Sequence, residues 1–548
     1  MATSSSNPLR GVPEPALRCT VHVAERPLAN AADSVGVLAR LADGGRRTGA
    51  LLLESADVHA PEGRRSLVLP VPVLRLLLRG DETQLRALDP RGDLVVDALV
   101  SVLRERGYDV RAARSASGDR RVLEVATPRS AHDPAATDRD RLTEPSCLDV
   151  LRLVATCVGD TLEDGATTEG APLLPALYGG FGYELVDRFE DLPPRRDDPQ
   201  NEPDLDLVLA LDGVVWDHER DLALAVTRSL NQDDDALTRL TTFTRALDAP
   251  ADDPVVLPPV DPTPPAATPD LDDARYEECV HRFLEHVAAG DIFQGVLSRS
   301  LSVESSADPL DVYRCLRARN PSPYMFFARL DDGVLLGASP ETCVRVERGE
   351  IMLSPIAGTV PRGFRPDGTA DFDRDVRLAI GLLLDPKEQA EHAMLIDLAR
   401  NDVARIARPG TREVEGPFTV ERFSHVQHLV SRVRGRLDEG LDSLDAYRAC
   451  ANMGTLTGAP KLRAMELIRE HEGTARGFYG GAFGYLTSQG DFDSCIVIRA
   501  LRWMNGLYVA RAGAGIVAAS LPKKELLETI HKARAPLVAV ALAERRSS

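Results

Sequence analysis

Residues 482–515 read AFGYLTSQGDFDSCIVIRALRWMNGLYVARAGAG. Ala482–Tyr485, Cys495–Arg499 and Leu507–Ala510 are short alternating or apolar runs, and the residues between them are turn formers. Runs of this length with Gly- or Asp-containing breaks predict strands joined by tight connections. A helix is predicted over 522–543, directly after them. Antiparallel sheet covered by helices is therefore the expected architecture.

The same reading extends upstream. A helix is predicted from Asp272, with Tyr276, Cys279, Val280, Phe283 and Val287 on one face and a stop at Gly290. Strands are expected at 292–298, 324–329, 333–338 and 343–347, and helices at 372–381, 386–405 and 460–471. Residues 251–270, ADDPVVLPPVDPTPPAATPD, hold seven prolines and no glycine or aromatic residue. Proline removes backbone donors and restricts the residue before it, so this is an extended connector. It divides the chain into an N-terminal part, 1–265, and a catalytic part, 270–543. In the first part Leu51–Leu53, Leu67–Leu69 and Leu207–Ala210 read as strands, and Val214–Trp216 after Asp212-Gly213 as the return strand of a hairpin. Helices are expected near 168–190 and 231–247.

Composition narrows the function classes. The 548 residues are 43% hydrophobic and 27% charged, as in a globular chain with a sizeable core. Lys and Arg number 65 against 84 Asp and Glu, a net charge of −19. That balance repels polyphosphate, which argues against nucleic acid as a partner. The eight cysteines form no CxxC pair, and no apolar leader or 18-residue apolar run is present. A reducing cytoplasm is the expected location, away from the membrane.

Two acidic pairs share one spacing. Glu388 and Glu391 stand three residues apart, as do Glu525 and Glu528, and on a helix such residues share a face. Each pair could aim oxygen ligands at one point, which would suit Mg²⁺ better than Zn²⁺, or could simply be a solvated helix face. Gly358-Thr359 and Gly513-Ala514-Gly515 allow backbone to approach a ligand closely, and neither matches a nucleotide-binding motif. Asn452–Lys461 is a Gly/Thr loop feeding a helix that begins with Pro460. Arg499 ends an apolar strand and needs an anionic partner, either a substrate carboxylate or a structural one. His428 has the titration range for proton transfer, yet lies on a mostly apolar element where packing is the commoner use of a histidine.

Ten strings occur in order across the second half, among them GDIFQGVLSRS (290–300), GASPE (337–341), SPIAGTVPRG (354–363), KEQAEHAMLIDLARNDVARIA (387–407), FSHVQHLVS (423–431), ANMGTLTGAPKLRAMELI (451–468) and AGAGIVAASLPKKELLETIHKARA (512–535). In them the chain resembles the chorismate-utilising enzyme family, and within it the large-subunit branch of the anthranilate synthases. The resemblance implies an α/β chain of the α+β type, built as a large antiparallel β-sandwich flanked by helices. It implies Mg²⁺ held directly by Glu391 and Glu528, with Glu388 and Glu525 partly through water. Gly358, Thr359, Tyr479, Arg499, Gly513, Gly515 and Lys532 fall at substrate-binding positions, and Glu341, His428, Thr455 and Gln294 at catalytic ones.

In the implied reaction Glu341 protonates the leaving C4 hydroxyl of chorismate and ammonia adds at C2, giving 2-amino-2-deoxyisochorismate. Loss of the C2 proton and of pyruvate, the step associated with His428, then leaves anthranilate. Gln294 stands where water-adding sister enzymes carry a Lys base, and Ala357 where aminodeoxychorismate synthases carry a nucleophilic Lys. Both replacements favour amination at C2. A relative that stops at the aminated intermediate is the alternative. Val360 and Gly295 depart from the branch's usual Arg and aliphatic residue.

The resemblance reaches the first half through Leu51–Asp57, LLLESAD. It implies a tryptophan feedback pocket with Leu53, Glu54, Ser55 and Arg65 on one side and Pro323, Tyr324, Met325 and Cys495 on the other, Glu54 meeting the amino group. No glutaminase triad segment is visible in the sequence, so ammonia is expected from a separate glutamine amidotransferase subunit.

Overall fold

Tight turns between short apolar strands produce two large sheets rather than several small ones. The computed structural model describes residues 9–547 apart from 56–64, 116–117, 130–135, 161–173, 232–234, 251, 259–261, 331–332, 366–368 and 424–425. Among the described residues each sheet has 13 strands, and only Leu17–Pro27 with Val158–Asp160 pairs in parallel. The first sheet runs from Thr268–Pro269 through Gln294–Glu304, Leu507–Ile516, Ala500–Met504, Val334–Ser339 and Tyr324–Arg329 to Leu51–Glu54, Arg65–Leu69, Gly213–Asp217 and Leu222–Ser229. The second runs from Ile356–Pro361 through Val426–Arg436, Glu350–Leu353, Thr342–Glu347, Phe492–Ile496 and Ala482–Thr487 to Ala176–Phe181 and Leu205–Ala210. Both sheets therefore pass through both halves of the sequence.

The sheets face each other across an apolar layer that includes Leu51, Leu67, Tyr178, Val208, Phe326, Phe483 and Cys495. Phe326 and Phe483, one from each sheet, stack at 4.5 Å between ring centroids. Helices cover both outer faces: Pro309–Arg319 and Pro522–Ser547 pack in the cluster over the first sheet, and Pro90–Glu105, Cys147–Thr156 and Ser443–Cys450 in that over the second. This is the helix-flanked antiparallel sandwich that the sequence predicts.

The helix at Asp273–Ala289 forms as its pattern dictates. Asp272 caps it by accepting from the Arg275 amide, Tyr276, Cys279, Val280 and Phe283 are buried, and Gly290 ends it at φ 81°. Its Phe283 also accounts for Gly295, because a Cβ there would lie 2.6 Å from the Phe283 ring.

Three local expectations are corrected. Leu205–Ala210 and Gly213–Asp217 are not a hairpin: they lie in different sheets, and Asp212-Gly213 carries the chain across. Over 168–190, residues 168–173 lie outside the described part, Ala176–Phe181 is a strand and Tyr183–Arg188 a short 3₁₀ turn. Buried on both faces, that strand has no alternation to separate it from a helix. Arg499 is not in a strand. It sits between Phe492–Ile496 and Ala500–Met504 with φ 52°, where the chain again changes sheets.

Candidate active site

Glu341 and Arg499 occupy two such crossings. The chain leaves the first sheet after Ser339 and enters the second at Thr342, and it returns between Ile496 and Ala500. The crossings are tied together, since the Ile496 amide donates to the Glu341 carbonyl at 3.0 Å and the Ala338 amide to the Arg499 carbonyl at 3.2 Å. Beside them lies a cavity of about 620 Å³. Every residue assigned to the catalytic, substrate and metal sets lines it: Gln294, Glu341, Thr455 and His428; Gly358, Thr359, Tyr479, Arg499, Gly513, Gly515 and Lys532; and Glu388, Glu391, Glu525 and Glu528.

Glu341 is 8% exposed and its Oε1 is buried without a hydrogen-bond partner. Burial pushes its carboxyl up to about 7, against a smaller opposing pull from Thr455 and Lys532. It can therefore hold a proton near neutrality, as a general acid must. The Gln294 side-chain amide oxygen is also buried and unpartnered, and the buried Thr455 hydroxyl faces no polar group nearer than the Glu341 carboxyl. Buried polar atoms without partners at one cavity mark groups that a polar ligand can satisfy.

His428 lies opposite Thr359 in the ladder between Ile356–Pro361 and Val426–Arg436. Its Nδ1 is 2.9 Å from the Gly358 carbonyl and 3.1 Å from Thr359 Oγ1. A carbonyl only accepts, so Nδ1 carries the proton and Nε2 keeps its lone pair. Burial, the largest cause, lowers the ring's pKa and keeps it neutral. Gly358 sits where this ladder shifts register, at φ 62°, and a Cβ there would come within 2.9 Å of Glu388 Oε2.

The acidic pairs come from two helices. Asp385 caps Pro386–Ala404 by accepting from the Lys387 and Glu388 amides, which sets Glu388 in the first turn and Glu391 one turn on. Glu525 lies in the first turn of Pro522–Ser547, with Glu528 after it. The Glu391 carboxyl is pushed up, first by burial and then by Glu388 and Glu528. Glu525 is pushed up by burial and by Glu528. Among the described residues no three such side chains form a tight ready-made shell. Four carboxylates of like charge at one cavity, with oxygen donors only, nevertheless fit a hard divalent cation, which would offset their repulsion.

Arg499 donates to the Lys532 carbonyl at 3.1 Å, and burial lowers its pKa. No ion pair joins it to a carboxylate among the described residues. A guanidinium so placed favours an anionic ligand. Lys532, by contrast, is engaged, with Nζ 2.6 Å from Glu528 and 2.9 Å from the Gly513 carbonyl. Gly513 leaves room for Tyr479, whose hydroxyl would lie 3.0 Å from a Cβ at that position.

Lys387, Arg511 and His531 also line the cavity and were not singled out from the sequence. Arg511 shows the same signal as Arg499, a charge inside an apolar run, within the glycine-containing string VARAGAG.

A second cavity, about 120 Å³, opens between the sheets and is lined by Leu53, Glu54, Ser55, Arg65, Pro323, Tyr324, Met325 and Cys495, with Phe483 and Asp493 behind them. Ala56-Asp57 of the LLLESAD string lie outside the described residues. Ser55 Oγ is buried there without a partner. Glu54 lines this cavity with its carboxylate already engaged. Side chains alternate along a strand, Leu51 faces the inter-sheet layer, and Glu54, paired with Met325, points to the helix-covered side. There its carboxylate accepts from Tyr313 Oη at 2.5 Å and from Ser34, and pairs with Arg317 at 3.1 Å.

The sequence profile of the chorismate binding enzyme family matches residues 120–538. Anthranilate synthase component 1 of Vibrio cholerae is 40% identical over 503 residues, 91% of this chain and 92% of that protein. The pyocyanine-specific anthranilate synthase component 1 of Pseudomonas aeruginosa is 41% identical over 510 residues, 90% of each chain. The crystal structure of anthranilate synthase component I from Streptococcus pneumoniae superposes with a TM-score of 0.67 at 29% identity, covering 87% of this chain and 93% of that one. On the profile match, the long relatives and the cavity they converge with, the chain belongs to the chorismate binding enzyme family.

Proposed function

We propose that the chain is the chorismate-converting component of an anthranilate synthase, turning chorismate and ammonia into anthranilate, pyruvate and water. The convergence of Glu341, Arg499, His428, Gln294 and both glutamate pairs on one cavity carries this reading.

Arg499 seats a substrate carboxylate, and Tyr479 and the Gly513 backbone bound the same end. Glu391 and Glu528, with Glu388 and Glu525 behind them, would hold Mg²⁺. When bound, it supplies the positive charge that fixes the ring carboxylate. Glu341 gives its proton to the C4 oxygen, which leaves as water while ammonia bonds to C2. Gln294 offers an amide and no basic amine, so water at that end is not activated. His428 Nε2 then takes the C2 proton, that electron pair forms the C2–C3 double bond as the bond from ring C3 to the enolpyruvyl oxygen breaks, and the released enolpyruvate takes up a proton at its methylene carbon to become pyruvate. Mass spectrometry of products from chorismate, Mg²⁺ and ammonium tests the reading. Anthranilate with equimolar pyruvate is expected. Build-up of the aminated intermediate would select the enzyme that stops short, and isochorismate would refute the role of Gln294.

The ammonia source is a glutaminase component, which the relatives' designation as component 1 supports. All eight cysteines are free and buried, which supports a reducing cytoplasm. Among the described residues no helix is long and apolar enough to cross a membrane.

The cavity between the sheets is the tryptophan site of this reading. A route to the chemistry is short: Tyr324 Oη is 3.1 Å from Thr342 Oγ1, and Thr342 follows Glu341 directly. A ligand that moves Tyr324 therefore bears on the general acid. Ser55→Phe puts a benzyl group into a space of about 120 Å³. The tryptophan concentration for half inhibition is expected to rise at least about tenfold, which is about 1.4 kcal/mol, with chorismate kinetics within about twofold. Unchanged inhibition in a folded variant would place the tryptophan site elsewhere.

A further inference from the structure

Beneath the floor of the active-site cavity lies Arg476, its side chain 1% exposed and absent from the cavity lining. It stands in the turn between the helix Lys461–His471 and the strand Ala482–Thr487. Its guanidinium is spread over several partners. Nε and Nη2 donate to Glu472 at 2.9 and 2.6 Å, Nη1 donates to the Leu456 carbonyl at 2.6 Å, and Nη2 to the Val296 carbonyl at 2.7 Å. The cation lies 5.8 Å from the Tyr479 ring centroid and 4.6 Å from that of Tyr183.

These contacts reach three separate pieces of the site. Leu456 follows Thr455, Val296 is two residues beyond Gln294 on its strand, and Tyr479 borders the cavity itself. Glu472 fixes the guanidinium from the far side. It also accepts from the Ser298 amide and hydroxyl at 2.7 and 2.8 Å and from Arg511 at 2.7 Å. The two flanking arginines and the hydroxyl hold its carboxyl below the usual range despite burial, so the pair stays ionised.

We propose that Arg476 is a positioning residue for chorismate amination, setting Gln294, Thr455 and Tyr479 at fixed spacings through one buried guanidinium. A structural ion pair needs only charge. The positioning role needs the fork, because only a planar group with several donors can bond two carbonyls and a carboxylate at once. Lysine keeps the charge beside Glu472 and loses the fork.

The inference rests on the proposed reaction, so the parent enzyme is assayed first with chorismate, Mg²⁺ and ammonium. A parent that makes no anthranilate refutes the function before any variant is read. Arg476→Lys is then compared in the full chain by steady-state kinetics and thermal unfolding. A kcat lowered about 100-fold, the scale of an ångström-sized misplacement, is expected, with KM for chorismate within about threefold and the unfolding midpoint within a few degrees. A folded Arg476→Lys enzyme with kcat within about threefold of the parent overturns the proposal. Glu472→Gln supplies the second arm. It removes the ionic partner and leaves both carbonyl bonds, so a lower midpoint with kcat within about fivefold is expected. Loss of kcat in step with the midpoint, or failure of both variants to fold, assigns Arg476 to stability alone.

Discussion

Glu341→Gln is expected to lower kcat/KM for chorismate by about 10³-fold, within the span that general acids contribute, and to leave the fold intact. Gln matches Glu in size and keeps a neutral group in a pocket that already favours the neutral acid. What it lacks is a proton it can release to the C4 oxygen. The pH dependence has a definite sign. Burial raises the carboxyl to about 7, so the acid form predominates below that value and the carboxylate above it. The Glu341 contribution should therefore be flat below about 7 and fall about tenfold per pH unit above it. The rising fraction of free ammonia works the other way in an ammonium-fed assay and can hide this limb. The profile must be taken at constant free ammonia. Glu341→Gln should then show a low rate without that limb. A variant within about tenfold of the parent would remove Glu341 from the role of acid.

The site was legible because its parts are local. Glu388 and Glu391 share a face by helical spacing alone, as do Glu525 and Glu528, and Glu341, His428 and Thr455 each stand within a short continuous string of sequence. Periodicity also located the helix Asp273–Ala289 with its cap and stop. Crossings between sheets could not be read this way. Asp212-Gly213 has the composition of a hairpin turn, and nothing within a few residues tells a chain that folds back from one that changes layer. Arg499 follows an apolar run and so reads as its continuation, whereas it stands at positive φ in the crossing between sheets. Glu54 shows another limit. Its place on the cavity-lining strand could be inferred, but its side-chain direction follows from Tyr313 and Arg317, more than 250 residues away. Both sheets also draw strands from the two halves flanking the proline-rich connector, so tertiary pairing decides what a break in composition leaves open.

Glu391→Gln should separate two effects that crowded carboxylates combine. In the free enzyme Glu391 is buried and its like-charged neighbours Glu388 and Glu528 raise its pKa, while Lys387 and Lys532 only partly compensate. A neutral amide of the same shape relieves that repulsion, so the magnesium-free variant is expected to unfold above the magnesium-free parent by up to about 1 °C, which for a chain of this length is about 1 kcal/mol. The same change removes an anionic oxygen from the set proposed to hold Mg²⁺. Affinity for Mg²⁺, measured by titration calorimetry on the chain without chorismate, should fall at least about 30-fold, which is about 2 kcal/mol, and kcat/KM for chorismate at fixed Mg²⁺ should fall with it. Glu525→Gln should weaken Mg²⁺ less, because its carboxyl is also held by Ser520 and the Leu521 amide. Opposite signs for stability and affinity distinguish a metal ligand from a solvated helix face, whose neutralisation would leave both nearly unchanged. Unaltered Mg²⁺ binding in a folded Glu391→Gln enzyme would move the cation to other carboxylates. A fall in stability instead would show that Glu391 is held by compensating charge rather than strained by its neighbours.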